Sequence, residues 1–378
     1  MRPASVADYR EAARRRLPRV LFDYIDGGSY AEETLAANVA DIQRLRLRQR
    51  VLKDVSNLSM ETELFGQKLS MPVVLSPVGL AGMYARRGEA QAAKAAKAAG
   101  VPFTLSTVGV CTIDEIAKAA QPPWFQLYMT RDRGFMAEVL AEAQTGGCPV
   151  LVFTVDLPVP GARYRDTRNG MIATTAAQRL NQTLDGLAHP AWLWDVQLNG
   201  GPHTLGTVAG ATKDLKRLME FFGWIARSFD PAITWADLDW IRARWKGPIV
   251  IKGVLDVADA REAADIGADG IVVSNHGGRQ LDGASSTIRA LAPIAQAVGD
   301  RTTVLMDGGV RSGLDVLKAL ASGARACLVG RAWAWALGAR GEAGVTHMLQ
   351  ILRGELRVAM ALTGCVDVKS ASAELLAD

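Results

Sequence analysis

The sequence predicts an α/β fold: an eight-stranded parallel β/α barrel with an N-terminal helical extension and a long loop after the fourth strand. Three observations support this. Eight short apolar runs recur from about residue 70 onward. They are continuous rather than alternating, as strands buried on both faces of a parallel sheet are. Ala-rich amphipathic stretches lie between them, several opening on Ser, Thr or Asp and closing on Gly, as helix caps require. Eight strand–helix units of this kind make a TIM barrel rather than a doubly wound sheet, and no GxGxxG opens the first helix.

The predicted strands, in order, cover 73–77, 103–106, 124–128, 150–156, 249–253, 270–276, 303–309 and 326–330. Predicted helices include 88–100, 112–120, 133–147, 256–269 and 312–324. A bare barrel needs about 250 residues, and the chain has 378. The surplus falls in two places. Residues 1–70 read as a helical and extended N-terminal extension, and 162–231 as a long loop inside a barrel spanning 71–365, the whole chain forming one domain. That loop holds Trp192, Trp194 and Trp224, three of the nine tryptophans, and a predicted helix over 215–229. A βα loop of this length lies over the catalytic end of a barrel, where it can act as a lid or contact a partner.

Composition narrows the function. At 49% hydrophobic and 22% charged, with a formal charge of +4, the chain suits a globular enzyme rather than a disordered or fibrous protein. The charge is too mild to predict nucleic-acid binding. Cys111, Cys148, Cys327 and Cys365 lie far apart with no CxxC, which predicts reduced buried thiols and no metal site. The charged start lacks the apolar stretch of a signal peptide, so the expectation is a protein that is not secreted. The uncharged run 69–85 is interrupted by Pro72, Pro77, Gly79 and Gly82, which suits a strand and loop better than a membrane span.

Barrel chemistry sits at the carboxyl ends of strands. Those positions hold Pro77 and Gly79; Ser106; Gln126 and Tyr128; Thr154 and Asp156; Lys252; Ser274, Asn275, His276 and Arg279; Asp307, Gly308, Gly309 and Arg311; and Gly330 and Arg331. Glycines after the last two strands let the backbone approach an anion at a helix start, and Arg311 and Arg331 can add charge-assisted bonds, which predicts a phosphorylated ligand. Of the four histidines only His276 follows a strand with an arginine three residues on. Its imidazole can take a proton from a substrate, Asp156 can orient it, and Arg279 suits a substrate carboxylate. Proton removal from a hydroxy acid leaves electrons that side chains cannot accept, so a bound cofactor must take them.

At these residues the chain resembles the FMN-dependent L-2-hydroxy acid oxidases and dehydrogenases, with a bacterial respiratory branch the nearest. The motifs are SNHGGRQLDG (274–283), FDYIDGG (22–28), MPVVLSPVGL, WFQLY, TVDLPVPGARYRD, IVIKG, DGGVR and VGRA, in order and nearly end to end. The resemblance implies FMN as cofactor and oxidation of an L-2-hydroxy acid, foremost L-lactate to pyruvate. By the same resemblance His276 is the base, Asp156 its orienting partner, and Tyr128 the partner of the substrate hydroxyl. Tyr24, Arg279 and Arg163 bind the carboxylate. Lys252 stands beside the flavin, whose ring contacts Pro77, Val78, Gly79, Ser106, Gln126 and Thr154, while the phosphate lies against Gly309, Arg311, Gly330 and Arg331.

A quinone or other respiratory acceptor, a homotetramer, and a location in the cytoplasm or on the cytoplasmic side of the inner membrane are implied in the same way. Loop residues 180–225 are expected to touch the membrane through their aromatics. Val108, where plant glycolate oxidases carry Trp, predicts a more open pocket wall. Gly79, where many oxidases carry Ala, leans toward a dehydrogenase. Two other readings stay open here: an oxidase of the same acids releasing hydrogen peroxide, and a non-redox FMN barrel isomerase. The isomerase needs no carboxylate clamp, so Tyr24, His276 and Arg279 argue against it.

Overall fold

The computed structural model describes residues 3–171, 175–209, 223–224 and 227–377. Eight parallel strands form the central sheet: β1 (Val73–Leu75), β2 (Thr104–Ser106), β3 (Trp124–Leu127), β4 (Leu151–Thr154), β5 (Ile249–Val254), β6 (Gly270–Val273), β7 (Thr303–Met306) and β8 (Ala326–Val329). Each pairs with its sequence neighbour, and β8 returns to β1. The remaining seam, β1 to β2, is closed by a parallel bridge between Leu75 and Phe103, with the Leu75 N–H donating to Pro102 O at 2.9 Å. The barrel prediction holds.

The continuous apolar runs follow from this geometry. Val74, Trp124, Val152, Val250, Val272, Leu305 and Leu328 form one buried cluster, joined by Leu64 and Leu69 of the hairpin Thr62–Leu64/Gln67–Leu69. Strand neighbours such as Val73, Leu75, Phe153, Ile251, Ile271 and Val273 belong to the larger cluster shared with the surrounding helices. Successive side chains alternate between the two layers, so both faces are mainly apolar, and buried polar exceptions such as Ser106, Gln126, Thr154 and Lys252 lie toward the carboxyl ends.

Most strands are shorter than predicted at their carboxyl ends: β1 stops before Ser76, β6 before Ser274 and β7 before Asp307. The reason is local. Pro77 has no N–H to pair, and His276, Gly308 and Gly309 have φ of 56°, 87° and 89°. Ser274, His276, Asp307, Gly308 and Gly309, expected at strand tips, therefore stand in the loops just beyond, whereas Ser106, Gln126, Thr154 and Lys252 remain within their strands. The predicted helices appear as Gly88–Ala99, Ile113–Ala119, Arg133–Thr145, Val257–Asp265 and Gly313–Ala321. Side chains of Thr112, Asp132, Asp256 and Ser312 cap four of them, and left-handed Gly100 terminates the first. Helix Thr287–Val298 escapes the sequence patterns because Pro293 lies inside it.

The N-terminal extension is helical as expected: α1 (Val6–Arg16), α2 (Arg19–Asp26) and α3 (Glu33–Arg44). A Ser5–Asp8 capping box starts α1, which packs its Val6, Tyr9 and Ala13 face against Arg331–Thr363. That last helix is broken at Arg340 and Gly341. Leu21, Phe22 and Ile25 bury α2 and so fix where Tyr24 can stand.

The long loop is partly structured. A Thr175–Gln178 capping box opens the helix Ala176–Leu187. Farther on, Leu205 and Val208 are buried, and the Thr207 hydroxyl bonds Thr107 O in the turn after β2. Phe229 pairs with Thr130 as an isolated bridge, which returns the chain to the barrel after β3. The helix predicted over 215–229 lies largely outside the described residues. Trp192 does not face outward as expected: it is buried, its indole N–H donating to Met83 O at 2.8 Å. Trp224 is half-buried against the core and Trp194 is exposed. All four cysteines are free and buried. Among the described residues no helix is long and apolar enough to cross a membrane.

Candidate active site

One cleft at the carboxyl end of the barrel gathers most of the predicted residues. Tyr24, Pro77, Val78, Gly79, Tyr128, Arg163, Lys252, His276, Arg279, Asp307, Gly308, Gly309, Arg311, Gly330 and Arg331 all line it. Ser106, Gln126, Thr154 and Ser274 are not among the lining residues but are buried in the barrel mouth. Asp156 stands beside His276.

His276 occupies a left-handed position, held by its N–H to Ser274 Oγ at 3.0 Å. Its Nδ1 lies 2.8 Å from Asp156 Oδ1, and its Nε2 lies 3.4 Å from the Tyr128 hydroxyl. Burial pushes the imidazole below its usual range, and Asp156 only partly reverses this. Burial works against the Asp156 charge, yet His276 and Lys252 keep that carboxyl below the ordinary range. An ionised Asp156 opposite Nδ1 selects the Nδ1–H tautomer and leaves the Nε2 lone pair facing the cleft. Burial, reinforced by Asp156, raises the Tyr128 phenol, so it stays protonated and can donate.

Asp156 fits here because β5 bulges at Lys252/Val254. Gly253, at φ 114°, would place a Cβ 2.6 Å from Asp156 Cβ, so only glycine leaves room for the acid. On the same strand Lys252 is buried, 3.1 Å from Asp307 Oδ2 and 3.0 Å from Ser274 Oγ. Burial opposes its charge, but Asp307 and Asp156 more than compensate, and the ammonium is held above its normal range.

Facing the histidine are two guanidiniums. Arg279 lies 4.8 Å and Arg163 5.7 Å from the centre of the Tyr24 ring. Arg279 also donates to the carbonyls of Tyr24 and Gly27. Arg163 is half-buried, and its partial loss of water contact together with the neighbouring Arg279 lowers its affinity for a proton. Asp166, 3.7 Å away, is pushed up by burial despite both arginines. A single acid beside two arginines leaves the cleft with a positive surplus that suits a small carboxylate.

The other end of the cleft suits a phosphate. Arg311 is stacked 4.9 Å from the Trp335 ring centre, and its side chain donates to Val310 O at 2.8 Å. Among the described residues no carboxylate forms an ion pair with it, and burial pushes it down to about 10, still protonated at neutral pH. Gly309 would place a Cβ against Asn38 O, so its lack of a side chain admits α3 as well as a ligand. Arg331 differs from expectation. Its side chain is spent on carbonyls, donating to Gly277 O at 2.7 Å, Gly27 O at 2.7 Å and Asp26 O at 3.2 Å.

Between the two ends, Gln126 Nε2, Thr154 Oγ1 and Asp307 Oδ1 are buried without a partner. Polar atoms stranded in this way are costly unless a ligand completes them, and their pattern of donors and acceptors fits the polar edge of a flavin. Comparison with known proteins agrees. The model of the FMN-dependent dehydrogenase family matches residues 13–378. The chain belongs to that family. It is an oxidoreductase whose cofactor is FMN. An L-lactate dehydrogenase of Caulobacter vibrioides (strain NA1000 / CB15N) is 62% identical over 99% of this chain and 98% of its own. One from Pectobacterium atrosepticum is 57% identical over 98% and 95%. Among solved structures, the monotopic membrane protein (S)-mandelate dehydrogenase superposes with a TM-score of 0.93 at 35% identity, covering 100% of both chains. A mandelate oxidase gives 0.86 at 40% identity, over 99% of this chain and 98% of the other.

Sequence reasoning missed several cleft-lining residues, Asp166 and Phe229 among them. Asp166 stands three residues after Arg163 on helix Tyr164–Arg168, and that spacing was the available signal. Phe229, whose ring centre lies 4.9 Å from that of Tyr128, carries no such signal, because a tertiary pairing after the long loop brings it in.

Proposed function

We propose that this chain oxidises L-lactate to pyruvate and passes the electrons to a quinone or another respiratory carrier. The single observation that carries the reading is that His276, whose proton affinity burial lowers, lines one cleft with Arg279, Arg163 and Tyr24. The arginines hold the substrate carboxylate, the Tyr128 hydroxyl meets the substrate oxygen, and His276 Nε2 takes a proton as the carbonyl forms. Asp156 stabilises the resulting imidazolium. Bound FMN supplies the two-electron acceptor that completes the oxidation. Gln126, Thr154, Lys252 and Asp307 would hold its ring; Arg311, with the main chain of Gly309, Gly330 and Arg331, would hold its phosphate.

The relatives named L-lactate dehydrogenase support lactate as the substrate. The test is to mix the yellow holoprotein with L-lactate without air. The flavin colour should bleach and pyruvate should appear; a persistent yellow colour rejects the reading. Recolouring within seconds of admitting air would assign oxygen as the acceptor instead.

On the same reading the chain is one domain, forms a homotetramer, and lies in the cytoplasm or on the cytoplasmic side of the inner membrane. Leu180, Leu184 and Leu187 are exposed on one face of helix Ala176–Leu187, and Trp194 and Leu198 of the same loop are exposed as well, which supports membrane contact there.

A further inference from the structure

Arg331 opens the helix after β8, where a phosphate contact is the obvious role for its side chain. The geometry points to another. Three of its five N–H donors go to main-chain carbonyls of two segments far apart in sequence: Gly277 O on one side, Asp26 O and Gly27 O on the other. Gly277 belongs to the turn that carries His276; Asp26 and Gly27 end the helix that carries Tyr24. Among the described residues no carboxylate forms an ion pair with Arg331.

Neighbouring contacts tighten the same seam. Ser29 N–H donates to Gly278 O at 2.9 Å. A Cβ on Gly277 would fall 2.6 Å from Arg331 Nη1, so a side chain there would evict the guanidinium. His276, Gly277 and Gly278 all have positive φ, at 56°, 67° and 73°. Such a run is unfavourable for a non-glycine residue unless its surroundings hold it. The carbonyls ending α2 also carry the negative end of the helix dipole, which the half-buried Arg331 guanidinium offsets.

We propose that Arg331 is a positioning residue, bridging the His276 turn to the Tyr24 helix so that base and carboxylate site keep a fixed separation. The assignment rests on the proposed roles of those two residues. It predicts that the side chain matters little for cofactor phosphate and much for substrate geometry.

Arg331→Met and Arg331→Lys are compared with Arg311→Met, using FMN and riboflavin as probes of the phosphate. Both Arg331 variants should keep the parent preference for FMN over riboflavin within threefold, whereas Arg311→Met should lose it by tenfold or more. Oxalate, a non-oxidisable carboxylate, should bind at least tenfold more weakly to both Arg331 variants. KM for L-lactate should rise and bleaching at saturation should slow, whereas mere loss of folded protein would leave KM unchanged. Lysine should rescue poorly, since one ammonium cannot reach both segments in a planar fork. Collapse of the FMN preference in either Arg331 variant, or unchanged oxalate binding, overturns the proposal. Should the methionine variant not fold, the lysine variant carries the comparison. If parent holoprotein does not bleach with lactate yet the oxalate differences appear, the substrate reading fails and the positioning role stands.

Discussion

Asp156 Oδ1 and His276 Nδ1 stand 2.8 Å apart, although they come from the loops after β4 and β6, with β5 between them. The bulge at Gly253 makes the approach possible, and the approach has a measurable consequence for pH. A base must be deprotonated to act, so kcat/KM falls as pH drops through the His276 pKa. Burial depresses that value, so the acid limb should lie below the ordinary histidine range near 6.5. Asp156 pulls it partly back up, and Asp156→Asn should therefore move the acid limb to still lower pH while lowering the plateau. A limb that stays in place or moves up would show that Asp156 does not act through His276.

His276→Gln removes the proton acceptor and leaves the flavin-binding residues alone. Flavin content should stay normal and lactate-dependent bleaching should slow by about 10²–10⁴-fold, the usual worth of a general base. Stopped-flow absorbance reads both quantities in one sample.

Arg279 has two duties, since one guanidinium nitrogen already bonds Tyr24 O and Gly27 O while the rest of the fork faces the cleft. Arg279→Lys cannot do both. KM for L-lactate should rise at least tenfold, about 1.4 kcal/mol, with FMN affinity unchanged; an unaltered dependence on lactate concentration would remove Arg279 from the carboxylate site.

Much of this site is legible in the sequence because barrel geometry converts strand order into spatial order. Tyr128, Asp156, His276 and Asp307 follow strands β3, β4, β6 and β7, and Lys252 lies near the end of β5, so finding the strands finds the rim. Glycine-rich turns mark the phosphate end for the same reason. What sequence does not show is where long side chains go once they leave the rim. Arg331 turns to Gly27 and Gly277, more than 300 and more than 50 residues away, and no local pattern encodes that. Trp192 looks like an interfacial aromatic until the Met83 carbonyl claims its indole N–H. Strand ends are overrun because interstrand hydrogen bonds still reach Ser76, Ser274 and Asp307, one residue past β1, β6 and β7, before the backbone turns away. The proline in Thr287–Val298 hides a helix that tertiary packing of Ile288, Leu291, Ile294 and Val298 pays for.

Gly79 and Val108 form a steric pair. A Cβ on Gly79 would lie 2.6 Å from Val108 Cγ2, in a wall of the cleft. Gly79→Ala should therefore destabilise the holoprotein by about 1–3 kcal/mol, as overpacking does. Val108→Ala should relieve most of that cost, giving a clear non-additive coupling in a double-mutant cycle read by denaturant unfolding. Additive effects would mean that the wall yields without strain.

Leu180, Leu184 and Leu187 are 60%, 55% and 61% exposed, and their spacing of four and three residues places them on one face of helix Ala176–Leu187. Trp194 and Leu198, each 67% exposed, follow them in the same loop. Trp192 is unavailable, so membrane contact through this loop falls first on the leucine face. Replacing the three leucines by glutamine should cost little stability, because exposed substitutions usually stay within about 0.5 kcal/mol each. Flavin content and anaerobic bleaching should be retained, since none of the three lines the cleft. Cosedimentation with phospholipid vesicles should fall several-fold if this face seats the protein on the bilayer. Undiminished cosedimentation with intact bleaching would rule the leucine face out as the membrane contact and leave the acceptor to be met elsewhere on the barrel.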